Sequence, residues 1–319
     1  MILVVGQNSA WQNTYLLPDM LPGKVNRVTG VTRSAAGKGA NLSRGLNFLG
    51  KTPHLLAYAG GHIGGQFTVA CDRDGIRKTI VPISSETRMC TTVLSKAGIA
   101  TEIVEPAPEI NEREAGEFLK AFLALLPQAK CLAIAGTAVD GDTPDCYLQY
   151  ALRAKEHNIP VFLDSYREHG KVALAAGPDI LKINNDELAD LTGMPVDSRQ
   201  DRENACTSIR EDFGIRWIII TLGENGAEGF SAAAGIVASP PAISAKNPIG
   251  SGDVFSSGVI SSMLDSGFSW DLDCLEQSIR LAVAMGTANC ISLKTGHVER
   301  AHLRSILPKV EVQRHLTAR

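Results

Sequence analysis

Short apolar runs alternate with helical patterns along most of the 319-residue chain, and this alternation limits the fold more than any other feature. Apolar runs predict strands at residues 2–5, 54–58, 131–135, 161–164, 180–183 and 217–221. Helical spacing predicts helices at residues 40–49, 112–126, 145–157, 186–192 and 202–213. Such alternation is typical of βαβ units, whose right-handed crossovers place the loops after the strands at one ligand-binding edge. We therefore predict an α/β fold with a doubly wound, mostly parallel sheet flanked by helices.

Two segments interrupt the alternation with additional β signals. Residues 13–33 contain prolines, glycines and short β-prone pieces, and residues 90–95 and 100–104 indicate a hairpin around Lys96-Ala97-Gly98. We expect segments 13–33 and 87–106 to form a small β lid that is inserted in two pieces. The α/β core would then comprise residues 1–12, 34–86 and 107–319. Two unrelated surface hairpins are the alternative.

Charge and cysteine usage limit the class of partner. The chain has 31 basic and 34 acidic residues, and this balance argues against a basic protein that coats nucleic acid. No basic segment precedes the apolar first strand, and the uncharged stretch 229–245 contains prolines, so we expect no signal peptide and no membrane span. Seven scattered cysteines without a CxxC pair favour reduced thiols and a cytoplasmic location.

The segment Gly250-Ser251-Gly252-Asp253 carries the strongest chemical signal. Three small residues precede an apolar pattern with helical spacing, so they are expected at a helix N-terminus, which can bind an anion. Asp253 alone would be interpreted as a helix cap. Beside an anion site, however, its carboxylate could accept a hydroxyl proton while a phosphoryl group is transferred.

A second glycine cluster, Ala35-Ala36-Gly37-Lys38-Gly39-Ala40-Asn41, precedes another predicted helix. It is not a P-loop, because glycine rather than serine or threonine follows Lys38 and Thr32 stands where the first glycine would be. Alone, this cluster indicates only a glycine-containing helix start.

Together the two clusters resemble the signatures of the ribokinase-like (PfkB) carbohydrate kinases. Gly37-Lys38-Gly39-Ala40-Asn41 is similar to GGKGxN, and the segment from Asn247 to Asp253 is similar to NxxGAGD. Residues 182–188 and 221–226 are similar to two further family segments, in the same order. Residues 22–28, 87–88, 101–103 and 108–110 resemble the phosphosugar branch, which includes 1-phosphofructokinase and tagatose-6-phosphate kinase.

The resemblance implies a role for each matched position. Asp253 would be the general base, and Gly250, Ser251 and Gly252 would donate backbone N–H groups to the transferring phosphate. The resemblance also implies ATP as donor and Mg2+ as metal. The other implied contacts are Gln12, Gly37, Lys38, Asn41 and Thr137 for the sugar; Arg27 and Arg88 for the phosphate already on the substrate; Lys182, Asn184, Thr221, Gly223, Gly226 and Asn289 for ATP; and Asn184 and Glu187, through water, for Mg2+.

Departures from the family pattern concern the sugar. Gln12 stands where the family has an aspartate that grips sugar hydroxyls, and Ala36 replaces the first glycine of GGKGxN. The leading interpretation is an ATP-dependent kinase for a phosphorylated ketohexose. The alternatives are a kinase for an unphosphorylated sugar or nucleoside and a sugar-phosphate-binding sensor without catalysis. Open edge strands in a small lid also predict a homodimer through the lid.

Overall fold

Strands and helices alternate along the chain in the computed structural model, which describes residues 1–96 and 98–316. Its strands are β1 Ile2–Val5, β2 Ala10–Leu17, β3 Gly30–Ala36, β4 Pro53–Gly60, β5 Lys78–Ile83, β6 Arg88–Ser95, β7 Ala100–Val104, β8 Cys131–Ala135, β9 Val161–Asp164, β10 Ile180–Asn184, β11 Trp217–Thr221, β12 Ala227–Phe230, β13 Ala234–Ser239 and β14 Glu311–Leu316. Its α-helices are α1 Lys38–Phe48, α2 Gly61–Arg73, α3 Glu112–Leu125, α4 Cys146–Glu156, α5 Glu168–Ala173, α6 Asn185–Thr192, α7 Arg199–Phe213, α8 Ser251–Asp265, α9 Leu272–Ile291 and α10 Arg300–Ile306.

A large sheet forms the centre of the molecule, in the order β14-β13-β12-β11-β10-β9-β8-β1-β4-β5. The strands from β5 to β11 in this order pair in parallel, whereas β12, β13 and β14 pair antiparallel. Side chains of β1 alternate between two hydrophobic cores. Ile2 and Val4 pack with residues of α1, α2, α8 and α9, and Leu3 and Val5 pack with residues of α3, α4 and α7. The predicted doubly wound, mostly parallel sheet is confirmed.

Each strand and helix predicted for the core is present, with shifts at several ends. Helix α7 begins earlier than predicted because Ser198 caps it, accepting a hydrogen bond from the backbone N–H of Asp201 at 3.1 Å. Helix α2 was missed because its glycines disfavour an isolated helix; the structure stabilises it by burying Phe67 and Cys71.

A second, four-stranded sheet has the order β3-β2-β6-β7. The parallel pair β2–β6 joins the two segments that interrupt the alternation, so they are not unrelated hairpins. Strands β2 and β3 extend beyond the predicted lid segment 13–33 at both ends. The division into core and lid stays a prediction; Ala97 of the predicted turn and residues 317–319 of the predicted core lie outside the described residues.

The second sheet carries several of the exposed apolar side chains of the protein, among them Val31, Ile103 and Val104. A dimer through this sheet stays a prediction. Within residues 1–96 and 98–316, none of the helices has both the length and the apolar character needed to cross a membrane.

Candidate active site

The N-terminus of α8 lies at the centre of the candidate site. Gly250 has a φ of 80°, and a Cβ at this position would lie 2.9 Å from the backbone nitrogen of Gly296, so glycine is required there. The backbone N–H of Ser251 donates to the carbonyl of Pro248 at 3.2 Å and is not free for a ligand, in contrast to the sequence prediction. Helix geometry leaves the N–H groups of Gly252 and Asp253 without intrahelical acceptors. These two groups are therefore the donors that this helix end offers to an anion.

Two buried asparagines support this helix start. Asn289 donates to the carbonyl oxygen of Ile249 at 3.1 Å and to Ser251 Oγ at 3.0 Å, and Asn247 accepts from the Ile249 N–H at 3.0 Å. The sequence prediction placed Asn289 among the ATP contacts. The structure instead buries it completely behind the loop, where it fixes the backbone before α8.

Asp253 lies in the first turn of α8, and its Oδ2 accepts a hydrogen bond from Asn41 Nδ2 at 2.8 Å. Burial raises the pKa of this carboxyl above its ordinary value, and the charge of Asp164 adds to the rise. Lys38, Asn41 and Lys182 act in the opposite direction. A carboxylate with a raised pKa is better suited to accept a proton than an ordinary aspartate.

Asp164 is a buried carboxylate that the sequence analysis did not assign. It ends β9 and accepts hydrogen bonds from Lys38 Nζ at 2.6 Å, Lys182 Nζ at 3.2 Å and Ser256 Oγ at 2.8 Å. Burial alone would raise its pKa, but Lys182 and Lys38 outweigh burial and hold the pKa at about 2. The sequence feature that could have identified Asp164 is a carboxylate at the end of a predicted buried strand, because this edge of the sheet is where α/β proteins bind ligands.

The residues predicted for the sugar are only partly brought together. Gly37 has a φ of 94°, and a Cβ there would lie 2.7 Å from the carbonyl oxygen of Asn8, so the turn into α1 requires glycine. Lys38 begins α1 and reaches Asp164. Thr137 Oγ1 accepts from Asn8 Nδ2 at 2.9 Å. Asn41 is 3% exposed and contacts Asp253.

One face of the second sheet carries further predicted residues. The strand register places Gln12, Arg88, Thr92 and Glu102 on the same face. Gln12 donates to Thr92 Oγ1 at 2.8 Å and is buried. Glu102 is exposed, but partial desolvation and the charge of Asp253 raise the pKa of its carboxyl, whereas a hydrogen bond with Thr92 lowers it. Glu102, which sequence reasoning did not assign, therefore brings a carboxylate to the face where Gln12 has none.

The two arginines predicted for the phosphate clamp lie toward opposite ends of β2: Arg88 pairs with Ala10 at its start, and Arg27 precedes Gly30, which pairs with Leu16 near its end. Arg88, at the start of β6, is half-buried, and its Nη1 donates to the carbonyl of Glu105 at 3.4 Å. Arg27 is exposed in the segment between β2 and β3.

A cleft of about 820 Å³ opens on the other side of the α8 N-terminus. Four residues predicted for ATP line it: Asn184, Thr221, Gly223 and Gly226. Lys182 is not among its lining residues; it is buried and binds Asp164 instead. Ser251 and Gly252 also line the cleft. The 240–248 loop and α9 contribute further residues to the lining of the cleft, which were not predicted from the sequence: Pro240, Pro241, Ala242, Ile243, Ala245, Pro248, Val283, Gly286, Thr287 and Cys290.

Asn184 and Glu187, which were predicted to hold Mg2+, form a capping box at the start of α6. Asn184 Oδ1 accepts from the Glu187 N–H, and Glu187 Oε2 accepts from the Asn184 N–H, each at 2.8 Å. Asn184 faces the cleft, and the charge of Glu187 acts on the ammonium of Lys38. Both residues thus have a structural role and lie beside the candidate site.

Solved structures share this fold over nearly their whole length. Phosphofructokinase-2 from Escherichia coli, in complex with substrates and products, matches with a TM-score of 0.87 at 23% identity, covering 97% of this chain and 98% of that one. A "possible 1-phosphofructokinase" from Thermotoga maritima matches with a TM-score of 0.87 at 17% identity, with 98% and 99% covered. Ribokinase from Arabidopsis thaliana, complexed with ribose and ATP, matches with a TM-score of 0.73 at 19% identity, with 96% and 98% covered.

The family model for pfkB family carbohydrate kinases matches residues 1–300. This span contains both glycine clusters, the cleft and Asp253, and it confirms the resemblance identified from the motifs. The chain therefore belongs to the pfkB family, as an ATP-dependent carbohydrate kinase.

Proposed function

We propose that the protein transfers the terminal phosphoryl group of ATP to a hydroxyl of a phosphorylated ketohexose of the fructose-1-phosphate, fructose-6-phosphate or tagatose-6-phosphate type, with Asp253 as general base. One observation carries the proposal. Asp253 lies in the first turn of α8, where its neighbours Ser251 and Gly252 line the cleft, and its Oδ2 accepts a hydrogen bond at 2.8 Å from Asn41 of the other glycine cluster. Asp253 thus lies between the cleft proposed for ATP and the glycine cluster predicted to contact the sugar, where it could meet the acceptor hydroxyl.

The neighbouring charges suit phosphoryl transfer, which depends on positioning and charge stabilisation more than on covalent chemistry. Asp253 would take the proton of the acceptor hydroxyl as its oxygen attacks the terminal phosphorus of ATP. The N–H groups of Gly252 and Asp253, at the positive end of the α8 dipole, would stabilise charge on the transferring group. Burial would lower the pKa of Lys38, but Asp164, Asp253 and Glu187 raise it, so Lys38 stays a cation beside the site.

The backbone of the cleft wall suits the binding of ATP. Gly223 and Gly226 have φ values of 59° and 92°, and a Cβ at Gly226 would lie 2.0 Å from the carbonyl oxygen of Ala238, so the backbone itself forms this wall. Aliphatic residues of α9 and the 240–248 loop offer an apolar surface for a base.

The residues near the cleft also fit Mg2+ bound chiefly through water and phosphate. Within the described part of the chain, no group of three or more His, Cys, Asp or Glu side chains could hold a metal ion. Mg2+ retains several waters and needs only one or two carboxylates beside substrate phosphates. Glu187 uses Oε2 in the capping box, and its Oε1 would hold a water of the ion. When bound, Mg2+ would neutralise phosphate charge.

The substrate phosphate is proposed to bind Arg88, and the exposed Arg27 would join it through movement of the segment between β2 and β3 when the substrate binds. Arg88→Ala should raise the KM for the sugar phosphate about tenfold or more, because a hydrogen bond to a charged group contributes about 1.5–3 kcal/mol. Arg27→Ala should act in the same direction. Steady-state kinetics with each substrate varied in turn would measure both KM values. The KM for the sugar phosphate should rise, and the KM for ATP should stay within about twofold of the wild-type value.

Arg33→Ala is the matched control, because Arg33 is exposed on the opposite face of the same sheet and should not alter either KM. An unchanged KM for the sugar phosphate in both Arg88→Ala and Arg27→Ala would contradict a phosphate clamp. That outcome would favour an unphosphorylated sugar or a nucleoside as acceptor.

A further inference from the structure

A buried arginine lies behind the proposed base. The guanidinium of Arg44, in α1, donates to Asp74 Oδ2 from Nε at 2.9 Å and from Nη2 at 2.7 Å. Its Nη2 also donates to the carbonyl of Ala35 at 2.7 Å, and its Nη1 donates to Asn41 Oδ1 at 2.9 Å. Arg44 is 7% exposed. These bonds hold the guanidinium plane in one orientation, with its charge paired to Asp74.

The hydrogen bond to Arg44 fixes which way the amide of Asn41 points. A guanidinium has five N–H donors and no acceptor, so only the oxygen of the Asn41 amide can face it. The Nδ2 group must then face the other way, toward Asp253 Oδ2 at 2.8 Å. If the amide rotated, its oxygen would meet the carboxylate and its NH2 would meet the guanidinium, which is unfavourable at both ends.

We propose that Asn41, Arg44 and Asp74 form a positioning network that orients the carboxylate of Asp253 toward the acceptor hydroxyl. The proposal rests on Asp253 being the base. It gives Asn41 a role at the base, to which Nδ2 donates one N–H, while the second N–H of the amide can still donate to a sugar. In this role the network affects the rate of transfer more than the affinity for the sugar.

The loop after α9 closes over the same network. A Cβ at Gly296 would lie 2.5 Å from Asn41 Oδ1 and 2.8 Å from Arg44 Nη1, so the backbone packs directly on the pair. His297 Nε2 lies 3.9 Å from Asp74 Oδ1. Since Gly296 also packs on Gly250, one loop supports the network and the start of α8 together.

The network predicts that its variants lose turnover. Asn41→Ala and Arg44→Met should each lower kcat about tenfold to a hundredfold, because small displacements of a catalytic group have effects of that size. In Arg44→Met, which keeps the Asn41 side chain, the KM values for ATP and the sugar phosphate should stay within about twofold. The assay uses ATP with whichever of fructose 1-phosphate, fructose 6-phosphate and tagatose 6-phosphate gives the highest turnover.

The double variant tests whether Arg44 acts through Asn41. If it does, Asn41→Ala with Arg44→Met should have the kcat of Asn41→Ala alone, since the interaction is already lost. Arg44→Lys, which keeps the charge and one donor, should recover part of the activity and remains informative if Arg44→Met folds poorly. Arg202→Met removes another buried ion pair, with Glu228, away from the site; it should lower the unfolding temperature without changing kcat.

Two results would overturn the network. One is a raised KM for the sugar phosphate with kcat unchanged in Asn41→Ala, which would leave Asn41 with a role in sugar binding alone. The other is a multiplicative loss of kcat in the double variant, which would mean that Arg44 acts independently. Asp253→Asn is measured in the same series: an active Asp253→Asn enzyme would refute the proposed base, whereas an inactive one beside a fully active Asn41→Ala would refute the network alone.

Discussion

Replacing Asp253 with asparagine should lower kcat at least about a hundredfold, the contribution typical of a positioned general base. Asparagine has nearly the same shape as aspartate and can accept a hydrogen bond from Asn41 through its amide oxygen. It cannot take a proton from the acceptor hydroxyl at neutral pH. The variant should therefore bind ATP and the sugar phosphate nearly as the wild type does, which isothermal titration calorimetry would measure alongside turnover.

Asp265→Asn is the matched control for this substitution. Asp265 is the last residue of the same helix, and its side chain is 68% exposed in an ion pair with Lys51. The kcat of Asp265→Asn should match that of the wild type. Turnover by Asp253→Asn above about a hundredth of the wild-type value would be incompatible with the assigned base.

The second large effect concerns stability. Asp164→Asn should lower the free energy of unfolding by about 3–5 kcal/mol, the cost of removing one partner from a buried ion pair. Asp164 is 1% exposed, and the neutral amide would leave the ammonium groups of Lys38 and Lys182 in place without their counter-charge. Urea denaturation would show the loss as a lower midpoint with an unchanged slope.

The difference in free energy of unfolding between the wild type and Asp164→Asn should depend on pH, and this dependence follows from the pKa of Asp164. Burial opposes ionisation, but Lys182 and Lys38 hold the pKa at about 2 in the folded protein, below the ordinary value of 3.8. The stabilisation is therefore fully present above the unfolded-state pKa and is lost as the pH falls toward about 2. The difference in free energy of unfolding between the wild type and Asp164→Asn should be constant near neutral pH and should become smaller below about pH 4.

Asp265→Asn again provides the control, because an exposed ion pair contributes about 0–1 kcal/mol. If the free energy of unfolding of Asp164→Asn were within about 1 kcal/mol of the wild-type value, the two ammonium groups would not depend on Asp164 as their counter-charge. The ion-pair account of this part of the fold would then be wrong.

The elements of the core could be predicted because their signals are local. Strands such as β8 and β11 are continuous apolar runs, and the start of α8 follows from Gly250, whose positive φ only glycine adopts readily. The antiparallel strands β12 and β13 were harder to predict, because short strands with glycine and alanine have weak β propensity and form by pairing with β11 and with each other.

The roles of several side chains could not be predicted, because they depend on residues far apart in sequence. Asp164 meets Lys38 across 126 positions, and Asn41 meets Asp253 across 212. The motifs predict sugar contacts for Lys38 and Asn41, and the fold in addition pairs each of them with a carboxylate. Glu102 shares a sheet face with Gln12 only because β7 joins the same sheet.

The central claim is the transfer of a phosphoryl group from ATP to a sugar that already carries a phosphate. Coupled ADP release by the purified wild-type protein tests it most directly, with fructose 1-phosphate, fructose 6-phosphate and tagatose 6-phosphate compared with fructose, tagatose, ribose and adenosine. We expect at least one phosphorylated ketohexose to stimulate ADP release well above the sugar-free rate and above its unphosphorylated counterpart. Stimulation by unphosphorylated acceptors alone, or by none of the panel, would contradict the account.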